Sequence, residues 1–345
     1  MKYRLYTTSQ KAWDGMLAAI SQAKKSIYLE MYSLQKDTQS THDFLGILKE
    51  KAQAGIEVVI IADSFGSFLI RGTVANELRK AGIELIFFSH WLKRTHRKIL
   101  IVDNHLAFFG GVNIKEKSRD WLDLQMRVEG RIILPLLQSF AYSYTLIGGK
   151  NPRILKYNKL SLVKKVSAWV TDTFAGNTKT YNLNAYYRYQ LMNAKRSIKI
   201  VTPYLLPPRR LLAALDQARL QGVDIQIIIP NNTDVYSLNR INYLNACRLS
   251  SLGIKFYLIP HMNHAKMIIV DDEEALVGSQ NMDILSFRFN MEVGVFFKHK
   301  KLVADLVKIF DRWKDESINF NSTYRKINLL DRFLIRILKI FYPIL

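Results

Sequence analysis

Short apolar runs alternate along the chain with segments in which apolar residues recur every three or four positions. The runs SIYLEMY (26–32) and EVVIIAD (57–63) are typical of buried strands, and each follows a stretch with helical spacing. Strands that alternate with helices indicate a largely parallel sheet that helices cover. We therefore predict a fold of the α/β class.

This pattern occurs twice in the chain. AKKSIYLEMY (23–32) is similar to AKRSIKIVTPY (194–204), and AQAGIEVVIIAD (52–63) is similar to ARLQGVDIQIIIP (218–230). In both copies of the second segment a glycine follows the helical part, where helices commonly end. These glycines are Gly55 and Gly222. The repeat predicts two similar halves, each a mostly parallel β-sheet flanked by helices.

A long uncharged segment extends from Ile132 to Gly149. A membrane-spanning helix needs ~20 mostly apolar residues, and Pro135 together with several Gln, Ser and Thr residues interrupts this segment. Its apolar residues recur at helical spacing. They are Ile133, Leu136, Leu137, Phe140, Tyr144 and Ile147. We predict a buried helix here instead of a membrane span.

The composition limits the classes of partner. The chain has 345 residues, a length that fits two domains, and its 50 Lys and Arg residues against 29 Asp and Glu give a net charge of +21. So large a positive charge attracts anionic partners, chiefly nucleic acid or anionic lipid. The single cysteine, Cys247, cannot form an internal disulfide, and the first residues lack the apolar segment of a signal peptide. A cytoplasmic location is therefore predicted.

Two short motifs carry the candidate chemistry. HRKILIVD contains His96 and Lys98, and HAKMIIVD, which begins 168 residues later, contains His264 and Lys266. Residues two apart on a strand point to the same face, so each imidazole is expected beside an ammonium group. A neighbouring positive charge favours the neutral, nucleophilic imidazole, and the ammonium can bind a phosphate oxygen. Two such pairs supply a nucleophile, an acid and two cations for one phosphorus atom.

The residues that follow each motif also repeat. Asn113 and Asn281 each lie 17 residues after the histidine of their motif, within GGVN and GSQN. Their amides can donate to a phosphate oxygen without adding charge, and Ser279 is a further candidate for binding or orienting the phosphate. Asp123 and Glu292 follow the same histidines by 27 and 28 residues. A carboxylate bonded to the second ring nitrogen of a histidine holds its tautomer and orientation.

Each motif ends in an aspartate. Asp103 and Asp271 are counted with the catalytic residues because they complete the pattern His-x-Lys-x4-Asp in both copies. The alternation of side chains along a strand nevertheless puts each aspartate on the opposite face from its own His and Lys. We therefore expect these two carboxylates to have a structural role, bonding neighbouring backbone.

The paired motifs resemble the HKD signature of the phospholipase D superfamily, and the resemblance covers the chain from about Thr8 to about Asn319. Within the superfamily the sequence is most similar to bacterial cardiolipin synthases. The supporting stretches are IYLEMY, AGIEVVIIADSFGS, RTHRKILIVDNHLAFFGGVNI, WLDLQMRVEG, VTPYLLP and HAKMIIVDDEEALVGSQNMDILSFRFNMEVG. The resemblance implies a phosphohistidine intermediate, without metal or cofactor, at an active site on the pseudo-twofold interface.

The same resemblance implies roles for individual residues. It makes His96 the nucleophile and His264 the acid, and it places Asn113, Asn281, Asp123 and Glu292 around them. The pseudo-symmetry of the two motifs does not rank the two histidines, so the opposite assignment stays open.

We predict a first half at residues 1–155, a second half at 156–322 and a C-terminal segment at 323–345. In the last segment basic residues fall between large apolar residues that recur at helical spacing. The apolar residues are Leu329, Leu330, Phe333, Leu334, Ile337, Leu338 and Phe341. A basic amphipathic helix of this kind lies in a membrane interface, which predicts peripheral contact with the inner face of the cell membrane. A terminal helix packed on its own domain is the alternative.

These features predict phosphatidyl transfer, with cardiolipin synthesis from two phosphatidylglycerol molecules as the leading hypothesis. A phospholipase D-type hydrolase or another phosphatidyltransferase is an alternative, since the sequence does not identify the acceptor. A nuclease or other phosphodiesterase of the same superfamily is favoured by the charge of +21, but the chain has no zinc-finger, RNP-type or helix-turn-helix signature. A binding module without activity does not explain two intact His–Lys pairs.

Overall fold

The structure is a computed structural model that describes residues 1–90, 93–158, 168–173 and 183–321. The strands of the first half are β1 (Lys2–Thr8), β2 (Ser26–Met31), β3 (Glu57–Asp63), β4 (Glu84–Phe88), β5 (Lys98–Val102), β6 (Leu106–Gly110) and β7 (Leu122–Glu129). Its helices are α1 (Ser9–Ser21), α2 (Phe44–Gln53), α3 (Thr73–Lys80), α4 (Ile133–Leu146) and α5 (Pro152–Asn158).

The second half repeats this sequence of elements. Its strands are β8 (Ala168–Thr173), β9 (Ser197–Val201), β10 (Leu205–Leu206), β11 (Asp224–Pro230), β12 (Lys255–Ile259), β13 (Met267–Val270), β14 (Glu274–Gly278), β15 (Met282–Asp283), β16 (Glu292–Phe297) and β17 (Ile318–Asn319). Its helices are α6 (Leu183–Asn193), α7 (Arg209–Leu220), α8 (Tyr236–Ser250), α9 (Ile284–Arg288) and α10 (Lys300–Asp315).

The strand order is the same in the two main sheets. The first sheet has the order β1-β7-β6-β5-β2-β3-β4, and the second has the order β8-β16-β14-β13-β9-β11-β12, with β17 added beyond β12. Strands β2, β3 and β4 pair in parallel, as do β9, β11 and β12, while β5 and β13 run antiparallel to β2 and β9. The prediction of two similar α/β halves is confirmed.

The sheets are mixed, so the expectation of mostly parallel strands holds for only part of each one. Three residues, 103–105, connect β5 to β6, whereas a parallel connection needs about a dozen or more. The pairs β5/β6, β6/β7 and β7/β1 are accordingly antiparallel. The apolar pattern predicted these strands but not their direction, because a buried strand has the same composition in both orientations.

The two motif aspartates stabilise the hairpin turns that follow β5 and β13. Asp103 has φ 53° and Asp271 has φ 55°, a left-handed conformation that aspartate tolerates better than most residues. Each carboxylate accepts hydrogen bonds from three successive backbone N–H groups where β2 or β9 begins. The donors are Lys24, Lys25 and Ser26 in the first half, and Lys195, Arg196 and Ser197 in the second. Burial raises the pKa of Asp103, but these bonds outweigh it and hold the pKa below its ordinary value.

Helices cover both faces of the first sheet. One face packs with α1, α2 and α3 in a core that includes Leu29, Ile60 and Leu100. On the other face Tyr28 of β2 stacks on Phe140 of α4, with ring centroids 5.4 Å apart. Helix α4 is the buried helix predicted from the uncharged segment, and among the described residues no helix is long and apolar enough to cross a membrane.

A buried ion pair distinguishes the first half from the second. Arg97, between the histidine and lysine of the first motif, is fully buried and lies 3.2 Å from the Glu30 carboxylate on β2. Its guanidinium also donates to Ser139 and Ser143 of α4. The second half has Ala265 at the motif position, and Val201 occupies the register position of Glu30.

This substitution between the halves supplies a stability test. Arg97→Ala is expected to lower the free energy of unfolding by about 3–5 kcal/mol, because it leaves the buried Glu30 carboxylate without its cation. The double variant Glu30→Val/Arg97→Ala copies Val201 and Ala265 and should recover part of the loss. Urea unfolding followed by circular dichroism measures both. A single variant as stable as the wild type, or a double variant less stable than the single one, would contradict this account.

The chain divides into two compact units. The first comprises Met1–Ala175 with Val277–Ser279 and Asn290–Phe296, and the second comprises Gly176–Leu276, Gln280–Phe289 and Phe297–Leu345. Two short segments of the second repeat, which carry Ser279 and Glu292, therefore belong to the first unit. The boundary after residue 155 stays a prediction, and the predicted C-terminal helix at 323–345 lies outside the described residues.

Candidate active site

The first histidine is held by backbone pairing. His96 lies two residues before β5 and is 7% exposed. Its backbone N–H donates to the Met291 carbonyl at 2.9 Å, and the Met291 N–H donates to the Arg94 carbonyl at 2.8 Å. These two bonds bring the segment that begins β16 beside the first motif, although it lies almost two hundred residues away along the chain.

Glu292, the first residue of β16, binds the imidazole of His96. Nδ1 of His96 lies 3.0 Å from one carboxylate oxygen and 3.1 Å from the other. The Ser279 hydroxyl donates to the same carboxylate at 2.5 Å. Because an ionised carboxylate accepts a hydrogen bond from Nδ1–H, the neutral ring has its lone pair on Nε2.

The charge of Glu292 changes the electrostatics expected from the sequence. Its side chain is fully buried, which raises the pKa, but His96, Lys98 and the Ser279 hydroxyl outweigh burial and hold the pKa below its ordinary value. The carboxylate is therefore ionised at neutral pH. From the sequence a carboxylate was expected at the second nitrogen of each imidazole, with Glu292 counted after His264. The structure places Glu292 on His96 instead, where its negative charge offsets the Lys98 cation.

An aromatic ring joins the two side chains of the first motif. The rings of Tyr32 and His96 meet edge to face with centroids 4.9 Å apart, and the Lys98 ammonium lies 5.2 Å from the Tyr32 centroid. Both motif side chains thus contact one ring, as the alternation along the strand predicts. Lys98 is fully buried and donates to the carbonyl of His96.

The second motif has the same arrangement within its own unit. Lys266 donates to the carbonyl of His264, and the His264 ring meets Tyr204 edge to face at 6.4 Å. Both His264 and Lys266 are buried, at 4% and 1% exposure. No role was predicted for Tyr32. The repeat could have indicated one, because Tyr32 and Tyr204 end the matching segments 23–32 and 194–204.

Glycines at the ends of β6 and β14 allow these strands to pack closely against β7 and β16. A Cβ atom on Gly110 would lie 2.1 Å from the Leu124 carbonyl oxygen, and one on Gly278 would lie 2.3 Å from that of Val293. Neither distance is sterically allowed, so both positions require glycine. In the first unit this approach brings the residue after Gly278, Ser279, to the Glu292 carboxylate.

Asn113 and Asn281 have matching environments in their units. The two residues are 3% and 4% exposed, and the side-chain oxygen of each has no hydrogen-bond partner among the described residues. A half turn about the Cβ–Cγ bond exchanges this oxygen with the NH₂ group, which donates. Each amide therefore has hydrogen-bonding capacity for a ligand, and the predicted contact with phosphate stays a prediction.

Asp123 is 1% exposed on β7, the counterpart of β16 in the first sheet. One of its carboxylate oxygens accepts the Leu124 N–H at 2.7 Å. Its orienting role stays a prediction. The structure thus brings four predicted site residues together in the first unit, namely His96, Lys98, Ser279 and Glu292, and two in the second, namely His264 and Lys266.

A duplicated α/β fold with a buried His–Lys pair in each copy defines the class of the protein, which is phospholipase D-like. Residues 16–135 and 187–314 match the family model described as "Cardiolipin synthase, PLD-like domain". The chain therefore belongs to this family, and the resemblance stated from its motifs is confirmed.

Proteins to which the chain is similar in sequence include cardiolipin synthases from bacteria. The chain is 31% identical over 330 residues to the cardiolipin synthase of Clostridium perfringens (strain 13 / Type A), covering 89% of this chain and 69% of the relative. It is 30% identical over 328 residues to that of Geobacillus sp. (strain WCH70), covering 88% of this chain and 65% of the relative. The chain thus spans about two thirds of the length of such relatives.

Solved structures show the same fold at low sequence identity. Phosphatidylserine synthase from Haemophilus influenzae superposes with a TM-score of 0.77 at 17% identity, covering 99% of this chain and 93% of that one. Polyphosphate kinase from Porphyromonas gingivalis superposes with a TM-score of 0.63 at 14% identity, covering 100% of this chain and 54% of that one. At these identities the likeness concerns the fold alone.

Proposed function

We propose that the protein transfers a phosphatidyl group through a phosphohistidine, and that it makes cardiolipin and glycerol from two phosphatidylglycerol molecules. The observation that carries the proposal is the bond between the buried Glu292 carboxylate and Nδ1 of His96. It orients Nε2 as a nucleophile and stabilises positive charge on the ring after attack. Membership of the cardiolipin synthase family supports the lipid substrate.

In the first step Nε2 of His96 attacks the phosphorus of phosphatidylglycerol. The bond between phosphorus and the headgroup glycerol oxygen breaks, and His264 gives that oxygen a proton, so free glycerol leaves. The phosphatidyl group stays on His96 as a phosphohistidine. Lys98 and Lys266 offset the charge on the non-bridging oxygens, and the amides of Asn113 and Asn281 donate to them.

In the second step a glycerol hydroxyl of another phosphatidylglycerol attacks the phosphohistidine. His264, now neutral, takes the proton of that hydroxyl, the P–N bond breaks, and His96 is restored. The product is cardiolipin, and the number of phosphodiester bonds is unchanged. We propose an orienting role for Asp123 as well, because its strand β7 is the counterpart of β16, which carries Glu292. This mechanism requires both histidines to act on one phosphorus atom.

The location that goes with this function is the cytoplasmic side of the cell membrane, where we propose that the protein is peripheral. The predicted amphipathic segment at 323–345 would contribute to the attachment. The net charge of +21 supports an anionic lipid surface, because each basic residue near such a surface contributes about 1 kcal/mol.

The direct test incubates the purified full chain with phosphatidylglycerol vesicles and identifies the products by mass spectrometry. We expect cardiolipin and glycerol in equal amounts. Phosphatidic acid as the main lipid product would make the protein a hydrolase, and a product that requires added ethanolamine or serine would make it a different phosphatidyltransferase. Cleavage of a labelled oligonucleotide without any lipid product would favour the nuclease alternative, for which the positive charge is the argument.

A further inference from the structure

Three large apolar side chains follow β3 and project into solvent. Phe65 is 64% exposed, Phe68 58% and Leu69 37%, while Ile70 next to them is fully buried. Apolar residues that are exposed singly are ordinary, but a cluster marks an interaction surface. The loop at 64–72 therefore has a buried anchor and an apolar outer side.

This loop is held firmly in place. The buried carboxylate of Asp63 accepts hydrogen bonds from the backbone N–H groups of Phe65 and Gly66, both at 2.9 Å, and from that of Thr95 at 3.0 Å. A Cβ atom at Gly66 would lie 2.3 Å from the Tyr32 carbonyl oxygen, so the turn packs directly on the end of β2. Asp63 thereby links the loop to the residue before His96.

Basic side chains surround the apolar ones. Phe65 and Phe68 line an open cleft of ≈ 490 Å³ together with Arg71, His90, Arg94 and two serines, and none of these described lining residues is acidic. The Arg94 guanidinium lies over the Phe65 ring, 4.9 Å from its centroid. We call this set of residues, with Leu69, the aromatic–basic surface.

The position of this surface in the sheet connects it to the candidate site. Strands β2, β3 and β4 are parallel and β5 is antiparallel to β2, so the ends of the first three lie at the edge where β5 begins. His96 and the loop at 64–72 share that edge. The second half has exposed apolar residues after β11, the counterpart of β3, namely Val235 at 40% and Tyr236 at 91% exposure.

We propose that the aromatic–basic surface inserts into the interface of an anionic phospholipid bilayer, with the phenylalanines below the headgroups and the arginines at the phosphates. Phenylalanine and leucine side chains of interfacial segments bury at the boundary between headgroups and acyl chains, and basic residues bind the negative surface of such a bilayer. The inference deepens the proposed function, because lipid that leaves the bilayer here would arrive at the sheet edge that carries His96. Insertion of the surface into the bilayer does not depend on the transfer reaction.

The test compares binding of full-length variants to sucrose-loaded vesicles of phosphatidylglycerol and phosphatidylcholine by sedimentation. Phe65→Ser/Phe68→Ser should lower the partition coefficient by roughly tenfold or more, since the variant lacks the two phenyl groups that would be buried in the bilayer. Leu146→Ser, which changes another exposed apolar residue of the same half, is the matched control and should bind as the wild type does. Equal binding by the double variant and the wild type would overturn the proposal.

A second measurement does not depend on how other segments bind. Phe65→Trp places a fluorophore on the surface, and its emission should be quenched by brominated lipid beyond the quenching of the five native tryptophans. No added quenching would reject insertion. Binding of a single-stranded oligonucleotide that is lost in Phe65→Ser/Phe68→Ser, with vesicle binding unchanged, would assign the surface to nucleic acid instead.

A comparison of monomeric and vesicular substrate distinguishes a defect in docking from a defect in catalysis. With short-chain phosphatidylglycerol dissolved as monomers, Phe65→Ser/Phe68→Ser should have the same transfer rate as the wild type. With vesicles, its transfer rate should fall by the same factor as its partition coefficient. If the wild type binds vesicles through this surface but transfers no lipid in either form, the proposed function fails and the docking surface stands.

Discussion

Replacing His96 with alanine is expected to lower phosphatidyl transfer by about 10⁴-fold or more, because the nucleophile that forms the covalent intermediate is lost. The same substitution at His264 should also abolish turnover, but it leaves the nucleophile in place. His264→Ala removes both the acid of the first step and the base of the second, so it should slow formation and breakdown of the phosphohistidine, and the adduct that does form should lie on His96. Rapid quenching at alkaline pH, where phosphohistidine is stable, followed by mass spectrometry of peptides, measures the adduct.

The matched control is His105→Ala, which removes an exposed imidazole from the hairpin beside the first motif. It should retain full activity. An adduct on His264 in the His96→Ala variant, with none on His96 in the reverse variant, would exchange the two roles. Full turnover by His96→Ala would contradict the mechanism, because no other residue is proposed to form the intermediate.

Replacing Glu292 with glutamine is expected to lower the rate of transfer by about 10²- to 10⁴-fold with little change in KM. The amide has nearly the size of the carboxylate, so the fold should persist. It cannot stabilise the positive charge that develops on His96 after attack, and its NH₂ group can hold the ring in the wrong tautomer. Ser279→Ala, which removes one hydrogen bond to the same carboxylate, should have a smaller effect in the same direction.

Glu129→Gln is the matched control for this prediction. It removes one negative charge from the same compact unit as Glu292, but the Glu129 carboxylate pairs with Arg127 instead of a histidine. The pH dependence of unfolding supplies an independent readout. Because folding lowers the pKa of Glu292, the wild type has the corresponding stability above about pH 4.3 and loses it as the pH falls further. Glu292→Gln should lack this acid-dependent part. An unchanged rate of transfer in Glu292→Gln would contradict the orienting role of Glu292.

Some elements of the fold were predicted correctly from the sequence and others were not. Gly55 and Gly222 have φ of 84° and 83°, so the predicted helix ends were correct. The buried helix α4 was also predicted correctly, because polar interruptions and helical spacing distinguish it from a membrane span. The antiparallel half of each sheet was not predicted, since strand direction follows from the length of the connections, and the hairpin at 103–105 was not recognised as a turn.

The sequence by itself determined the duplicated architecture, the two His–Lys pairs and the class of chemistry, because each of these is a local pattern that occurs twice at constant spacing. Only the tertiary structure decided that Glu292, counted after His264 along the chain, bonds to His96, and that Glu30 neutralises Arg97. The physical reason is that spacing along a strand specifies which face a side chain occupies. Which other strand packs against that face depends on packing between distant segments.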